Sequence, residues 1–124
     1  MGHRNSGRLM RRSEIRLVNL DPVVESEAAR TRPGVIVSND EANTTAQRLG
    51  QGVVTVVPVT SNINHVYPFQ TLLPADETGL DVDSKAQAEQ VRSVAVERVG
   101  ASIGNVPFHL MGRLDDAFRL HLDL

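Results

Sequence analysis

The sequence predicts a small, mostly β fold: an antiparallel barrel with helical decoration and a C-terminal α-helix. Short runs rich in β-branched residues are separated by returns that contain glycine or proline, which is typical of antiparallel strands. The last segment instead repeats leucine and phenylalanine every four residues, which indicates one amphipathic helix. A chain of 124 residues suits a single domain with one modest core.

Composition sets the broad class of the protein. Apolar residues make up 40% of the chain and charged residues 23%, close to globular averages, and no apolar run has the length of a membrane span. The net charge of -2 still permits a local basic surface that binds a polyanion. Cysteine is absent, which suits a reducing compartment, so we expect a cytoplasmic protein.

The N-terminal part of the chain predicts a short extension, one strand and one loop. Residues 1–10 are polar and unpatterned and are interpreted as a disordered extension or a cloning remnant, with the domain over residues 11–124. Residues 14–20 alternate and form a predicted strand that a following Asp-Pro pair breaks. Residues 23–31 lack any helix or strand period and are predicted to be a surface loop that ends at Arg32-Pro33.

Two β-branched runs form the predicted centre of the core. Residues 34–38 and 53–60 are almost continuously β-branched, which predicts strands covered on both faces. Between them, Asn39-Asp40 predicts the cap of a short helical turn through Asn43. Gly50-Gln51-Gly52 then supplies a flexible return to the second strand.

The second half of the chain contains one ambiguous segment and one clear helix. Residues 69–73 predict another short strand. Residues 84–99 favour helix by propensity, but their alternation and β-branched valines also permit a strand, so both remain open. A C-terminal amphipathic helix is predicted with Pro107 near its start. Its four-residue repeat consists of Leu110, Leu114, Phe118 and Leu122.

Short motifs are spread along the chain from about Arg11 to the C-terminus. They are Arg12-Ser13-Glu14-Ile15, Leu20-Asp21-Pro22, Ser26-Glu27 followed by Arg32-Pro33, Ser38-Asn39-Asp40, Pro58-Val59-Thr60-Ser61, Tyr67-Pro68-Phe69 and Glu89-Gln90-Val91-Arg92-Ser93. Each motif is weak alone, but in this order they resemble the MazF/PemK family of endoribonuclease toxins. The chain departs from the family pattern at Glu25 and Ala28, which puts the RNA sequence preference in doubt more than the cleavage.

The resemblance implies a fold, an activity and a partner. The fold is an SH3-like, CcdB-like barrel that forms a homodimer, with the Gln-Val-Arg-Ser segment on a strand instead of a helix. The implied activity is sequence-specific cleavage of single-stranded RNA, such as mRNA, without a metal or other cofactor, which inhibits translation and growth. The implied partner is a cognate MazE-like antitoxin that neutralises the enzyme, and no membrane is involved.

The chemistry of RNA cleavage assigns tasks to three residues. RNA is cut without a metal when its own 2′-OH attacks the adjacent phosphorus, so the enzyme aligns the attack, stabilises negative charge and manages protons. Arg32 is the first candidate because a guanidinium can hold two phosphate oxygens, and Pro33 restricts the backbone beside it. Thr60 is expected to donate to the phosphate or the leaving oxygen, and Glu27 is the local candidate for the proton acceptor.

The remaining candidates are expected to bind substrate. By the resemblance, Gln90 positions the RNA or reads a base, since its amide both donates and accepts. His65 lies in the polar loop after Thr60, from which it could approach RNA. The weaker binding candidates are Ser61, Ser26 and Arg92. No metal site is expected, because the four histidines show no metal-type spacing.

Structural roles and other functions remain alternatives to this reading of the sequence. Arg32 could pair with a loop carboxylate, Thr60 could fill a strand position, and Gln90 could be a surface residue. A CcdB-like poison that binds a topoisomerase would share the fold without cutting RNA, and an inert RNA-binding barrel is a second rival. Convergence of these three side chains on one site is what an RNase needs and a poison does not.

Overall fold

The computed structural model describes residues 9–20 and 31–124. Within these ranges seven strands form one sheet, accompanied by three helices and two 3-10 turns. The strands are β1 Glu14–Asn19, β2 Thr31–Ile36, β3 Val53–Thr60, β4 Gln70–Leu73, β5 Ser84–Gln87, β6 Arg92–Ala95 and β7 Val99–Asn105. The helices are α1 Asp40–Leu49, α2 Ala75–Thr78 and α3 Phe108–Leu122, and the 3-10 turns are Ala88–Gln90 and Val96–Arg98.

Strand β3 is the centre of the sheet. The strand order is β4-β5-β3-β2-β1-β7, and every pair is antiparallel. One edge of β3 pairs with β2, and its other edge pairs first with β6 and then with β5. The mostly β, antiparallel fold class is confirmed. Among the described strands β4 and β7 do not pair with each other, so the sheet is open instead of closed as a barrel.

A hydrophobic cluster lies on each face of the sheet. Val57 belongs to the cluster that contains Leu114 of α3, whereas Val56 belongs to the cluster that contains Ala46 of α1. Successive side chains of a strand point to opposite faces, so β3 contributes to both clusters. This confirms the prediction that the β-branched runs are covered on both faces. Met10 is also buried in the second cluster, although the sequence placed it in the N-terminal extension.

Helix α1 is longer than the sequence predicted. It continues past Asn43 through Leu49 and ends at Gly50, whose φ of 65° is in the left-handed region that glycine adopts easily. Asn39 caps its start, because its side chain accepts a hydrogen bond of 2.8 Å from the Ala42 N–H. Asn43 is fully buried and donates to the Ser38 carbonyl at 2.9 Å. The Ser-Asn-Asp motif therefore builds the start of this helix.

Glu14 anchors the start of β1 through a nearly buried carboxylate. Its Oε1 accepts from the Arg11 backbone N–H at 3.0 Å and from Arg16 Nε at 3.1 Å. Burial raises the pKa of Glu14, but hydrogen bonds from Arg11, Arg16 and Ser102 outweigh it, so the pKa lies below its ordinary value of 4.5. The ionised carboxylate therefore holds together β1 and the residues packed beside it.

Residues 84–99 form strands and short turns, so the helix favoured by propensity is wrong. Lys85 and Ala86 are strong helix formers, yet both are buried in β5, where they pair with β3. As the resemblance implied, Arg92 and Ser93 lie on a strand, β6, while Gln90 ends the preceding 3-10 turn. Strand β7 and helix α2 had no counterpart in the sequence prediction.

The C-terminal helix is confirmed as α3. Leu110 and Leu114 are buried against the sheet, and Phe118 packs partly buried beside them. Leu122, the last residue of the four-residue repeat, is 49% exposed. The apolar repeat therefore extends one turn beyond the part of the helix that packs on the core.

Candidate functional site

A cleft opens where β2 and β3 separate. Their ladder pairs residues 34–36 with residues 56–58 and ends at Gly34 and Pro58. Proline has no backbone N–H to donate, and Pro33 and Pro58 both stand at this point, so each strand lacks one backbone donor where the ladder ends. Beyond it β2 stays paired with β1, and β3 pairs with β5. The sheet therefore forks, and the cleft lies between the two arms.

The fork places Arg32 and Thr60 on its two arms. Because Gly34 pairs with Pro58, the same register two residues further sets Arg32 opposite Thr60. The cleft has a volume of about 810 Å³, and both residues line it together with Ser61. Three of the side chains that the sequence singled out are thus brought to one cavity.

Arg32 is held by a strand and is exposed to the cleft. The sequence put it at the end of a loop, but β2 begins at Thr31, and Arg32 pairs with Val18 of β1. Its Nη1 donates to the Thr31 carbonyl at 3.1 Å. No acidic side chain among residues 9–20 and 31–124 forms an ion pair with it. As far as the described residues show, the other N–H groups of the guanidinium are therefore available to an anion in the cleft.

Thr60 is half-buried at the end of β3. Its Oγ1 accepts a hydrogen bond of 3.2 Å from the Asn62 backbone N–H. Because this bond uses a lone pair, the hydroxyl proton remains free to be donated into the cleft. The Asn62 side chain in turn accepts from the Asn64 N–H at 3.3 Å. The loop that follows β3 is therefore folded back onto the threonine hydroxyl.

The cleft also contains residues that the sequence did not single out. Asp81 is exposed at its wall and is the one carboxylate among the described lining residues. Gln87 of β5 is half-buried there, and Leu17 and Ile103 give the wall an apolar part. Asp81 follows α2 and Gln87 lies on β5, so only the fold brings them to Arg32. No short motif marks them in the sequence.

Of the other predicted site residues, three are described and do not line the cleft. Ser26 and Glu27 fall outside the described residues. Gln90, Arg92 and His65 are exposed and are not among the residues that line the cleft. Arg92 nevertheless reaches its rim, because its Nη1 donates at 3.0 Å to the carbonyl of Leu20, which lines the cleft. Arg92 therefore fixes the chain at Leu20.

Across residues 9–20 and 31–124, no helix is long and apolar enough to cross a membrane. Within the same ranges no three acidic or histidine side chains are grouped so that they could hold a metal ion.

Fold and cleft together define a class: a small antiparallel β protein that presents a guanidinium and a threonine hydroxyl across a fork in its sheet. Residues 11–122 match the family described as PemK-like, MazF-like toxin of type II toxin-antitoxin system. The chain belongs to this family, and the resemblance noted in the sequence is confirmed.

Known relatives cover almost the whole chain. Endoribonuclease MazF9 of Mycobacterium tuberculosis is 62% identical over 116 residues, which cover 94% of this chain and 98% of that protein. A crystal structure of MazF from Deinococcus radiodurans is similar with a TM-score of 0.74 at 21% identity. The match covers 94% of this chain and 99% of the MazF chain. A MazE-MazF complex from the same organism has a TM-score of 0.72 at 19% identity, covering 94% and 98%. The last two similarities concern the fold.

Proposed function

We propose that this toxin is a cytoplasmic, homodimeric endoribonuclease that cuts single-stranded RNA in the cleft between β2 and β3, without a metal. The relative from M. tuberculosis is named an endoribonuclease. The observation that carries the proposal is the placement of Arg32 and Thr60 on opposite arms of the fork. Complexes of similar toxins with MazE support a MazE-like antitoxin as the partner of this chain as well.

Arg32 binds the phosphate at the cut. A guanidinium donates two parallel hydrogen bonds to two phosphoryl oxygens, and those oxygens gain negative charge as the 2′-OH attacks phosphorus. Strand β2 fixes the backbone of Arg32 through its pairing with β1. The cation therefore needs little reorganisation when the charge develops, which is how a preorganised donor lowers a barrier.

Thr60 acts on the same phosphate from the other arm. In the reaction the 2′-oxygen loses its proton and bonds to phosphorus, the bond from phosphorus to the 5′-oxygen breaks, and the 5′-oxygen takes a proton from water. The products are a 2′,3′-cyclic phosphate and a 5′-OH. The free proton of the Thr60 hydroxyl is donated as a hydrogen bond to a phosphoryl oxygen or to the leaving 5′-oxygen. The Asn62 N–H fixes the direction of that hydroxyl.

One proton must leave the 2′-OH, and a carboxylate is the acceptor that the chain offers. Glu27 is the candidate from the sequence, where the segment over residues 23–31 is predicted to be a loop. Asp81 is a second candidate, because it lines the cleft together with Arg32 and Thr60. We assign Ser61, Ser26, Gln90 and Arg92 to substrate binding, with Ser61 inside the cleft and Arg92 at its rim.

Purified protein incubated with defined single-stranded RNAs in excess chelator tests the proposal. We expect products with a 5′-OH and a cyclic phosphate or 3′-phosphate. Arg32→Ala should reduce the single-turnover rate about 100- to 1,000-fold, because one charged donor to the developing anion is lost. Comparison of Glu27→Gln with Asp81→Asn identifies the proton acceptor, since only the true acceptor's variant should lose the acid limb of the pH profile, where protonation of the acceptor slows the reaction.

Arg113→Ala is the matched control for charge. Arg113 is an exposed arginine on α3, away from the residues that line the cleft, so this variant should cut at the wild-type rate. Intact RNA with the wild-type protein across varied sequences would refute the nuclease, and a topoisomerase poison would then be the better assignment. A 3′-OH product would refute attack by the 2′-OH.

A further inference from the structure

Four rings form a column on the surface next to the cleft. The Tyr67 ring stacks on the His65 ring with centroids 5.8 Å apart, and on its other side it stacks on Phe69 at 5.3 Å with planes 5° apart. Phe69 then meets His121 of α3 at 6.5 Å in a tilted arrangement. The chain has one tyrosine and three phenylalanines, so this column holds half of those four rings.

The column can continue as a parallel stack at one end. Tyr67 lies between two rings, and at the far end the exposed His121 ring is tilted by 44° from the Phe69 ring, so the parallel stacking stops there. His65 is exposed, and among the described residues Tyr67 is its only ring contact. One face of the imidazole is therefore available to another flat ring, at a spacing that the column already sets.

The column is attached to the residue that we place at the cut. The loop from Thr60 to His65 is pinned by the Asn62 and Asn64 N–H groups, which donate to Thr60 Oγ1 and to the Asn62 side chain. Lys85, the strand partner of Thr60, donates its Nζ to the His65 carbonyl at 2.5 Å. The open face of His65 therefore has a fixed position relative to Thr60.

Charge near the column favours a polyanion over an apolar partner. Lys85 is 7% exposed, and its Nζ lies 5.8 Å from the centroid of the Tyr67 ring. No carboxylate in the described part of the chain pairs with it; its hydrogen bond goes to a carbonyl. A lysine close to a ring stack, with no acidic partner among the described residues, suits a nucleotide, which brings a flat base together with a phosphate.

A second set of contacts holds the middle of the column. The Tyr67 backbone N–H donates to Gln70 Oε1 at 3.1 Å, and Gln70 Nε2 donates to Glu89 Oε2 at 2.7 Å. Gln70 is buried on β4, so Tyr67 is tied to the sheet instead of moving with the loop. A preorganised ring loses little entropy when a base stacks on the column.

We propose that this column is a base-stacking site, on which one nucleobase of the single-stranded RNA lies against the outer face of His65 and flanks the cut. The proposal rests on RNA being the substrate, and it adds a contact that tolerates any base, because every base has a π-face. His65 is then a binding residue, and Tyr67 and Phe69 position it.

Binding of a 2′-O-methyl RNA labelled with 2-aminopurine tests the stacking site. Such RNA has no 2′-OH to attack, so binding is measured without cleavage and without knowing the cut sequence. His65→Ala should raise the Kd about 5- to 150-fold and remove the fluorescence quenching of the stacked 2-aminopurine. His65→Phe should restore both, because a flat ring suffices. His121→Ala, at the tilted end of the column, is the matched control and should bind like the wild type.

Three outcomes would overturn the proposal. Wild-type RNA affinity in His65→Ala would leave the column as a surface for a protein partner. If His65→Phe bound RNA as weakly as His65→Ala, the loss of affinity would come from the polarity of the imidazole and not from stacking. If His121→Ala also bound weakly, the RNA would contact the His121 end of the column. Failure of the nuclease proposal is separate, since an RNA that binds through His65 but is never cut refutes only cleavage. Thermal unfolding of each variant confirms that it is folded.

Discussion

Replacing Thr60 with valine separates the chemistry of the cleft from its architecture. Valine keeps the shape of the side chain and suits a strand, but it lacks the hydroxyl. Two interactions are lost: the hydrogen bond from the Asn62 N–H, and the donor that we place on the substrate phosphate. The structure predicts very different sizes for these two losses.

The structural loss should be small. A hydrogen bond contributes a net of about 0.5–1.5 kcal/mol, and the Asn62 N–H is exposed, so water replaces the lost acceptor and the lower end applies. The Tm should therefore fall by only about 2–6 °C. The catalytic loss should be larger, because a donor aimed at developing charge contributes roughly 100- to 1,000-fold to the rate, or about 2.7–4 kcal/mol.

Single-turnover cleavage at saturating enzyme, measured beside thermal unfolding, provides both numbers. Thr60→Ser keeps the hydroxyl and should retain most of the rate, although it loses a methyl group from the strand. If Thr60→Val cut RNA within about threefold of the wild-type rate, the hydroxyl would have no part in transition-state stabilisation. The assignment of Thr60 to the chemical step would then be wrong.

Two further predictions concern stability. Burial raises the pKa of Glu14, but its hydrogen bonds lower it by more, so the folded pKa lies below 4.5. The contribution of Glu14 to the stability of the fold is therefore complete above pH 4.5 and is lost as the pH falls through the folded pKa. Urea titrations from pH 7 to pH 2 should show this loss, and Glu14→Gln should flatten the profile and be less stable at pH 7. A Cβ at position 104 would collide with the Thr78 carbonyl, so Gly104→Ala should cost about 1–3 kcal/mol and lower the Tm by roughly 3–15 °C. An unchanged Tm would show that β7 and α2 can move apart.

The sequence predicted the elements whose pattern and surroundings agree. Residues 53–60 are β-branched and lie in the middle of the sheet, so propensity and burial point to the same structure. Residues 84–87 favour helix by composition, but pairing with β3 and β4 satisfies their backbone and buries them. Strand β7 contains two glycines and a serine, and it is a strand because β1 lies beside it. Those partners are distant in sequence, so a local pattern could not reveal them.

The residues of the candidate site also fall into those that the sequence identified and those that only the fold brings together. Arg32 and Thr60 stand in short motifs on neighbouring strands, and Ser61 follows Thr60, so the resemblance carried by these motifs was enough to find them. Asp81 enters the cleft only because of the path of the chain between α2 and β5, and nothing in its own neighbourhood indicates this. The ring column was missed for the same reason, although His65 was named, because its fourth ring comes from α3.

The two prolines at the fork also restrict how any extended segment can be held in the cleft. A peptide that docks on a protein by adding a strand depends on unpaired backbone N–H groups along the receiving edge. Pro33 and Pro58 offer none at the point where β2 and β3 part. An inhibitor that enters here therefore finds fewer backbone donors at this point, and the Arg32 guanidinium is a cleft donor with which it can pair. Acidic groups in such a segment would then matter more than its ability to form a strand.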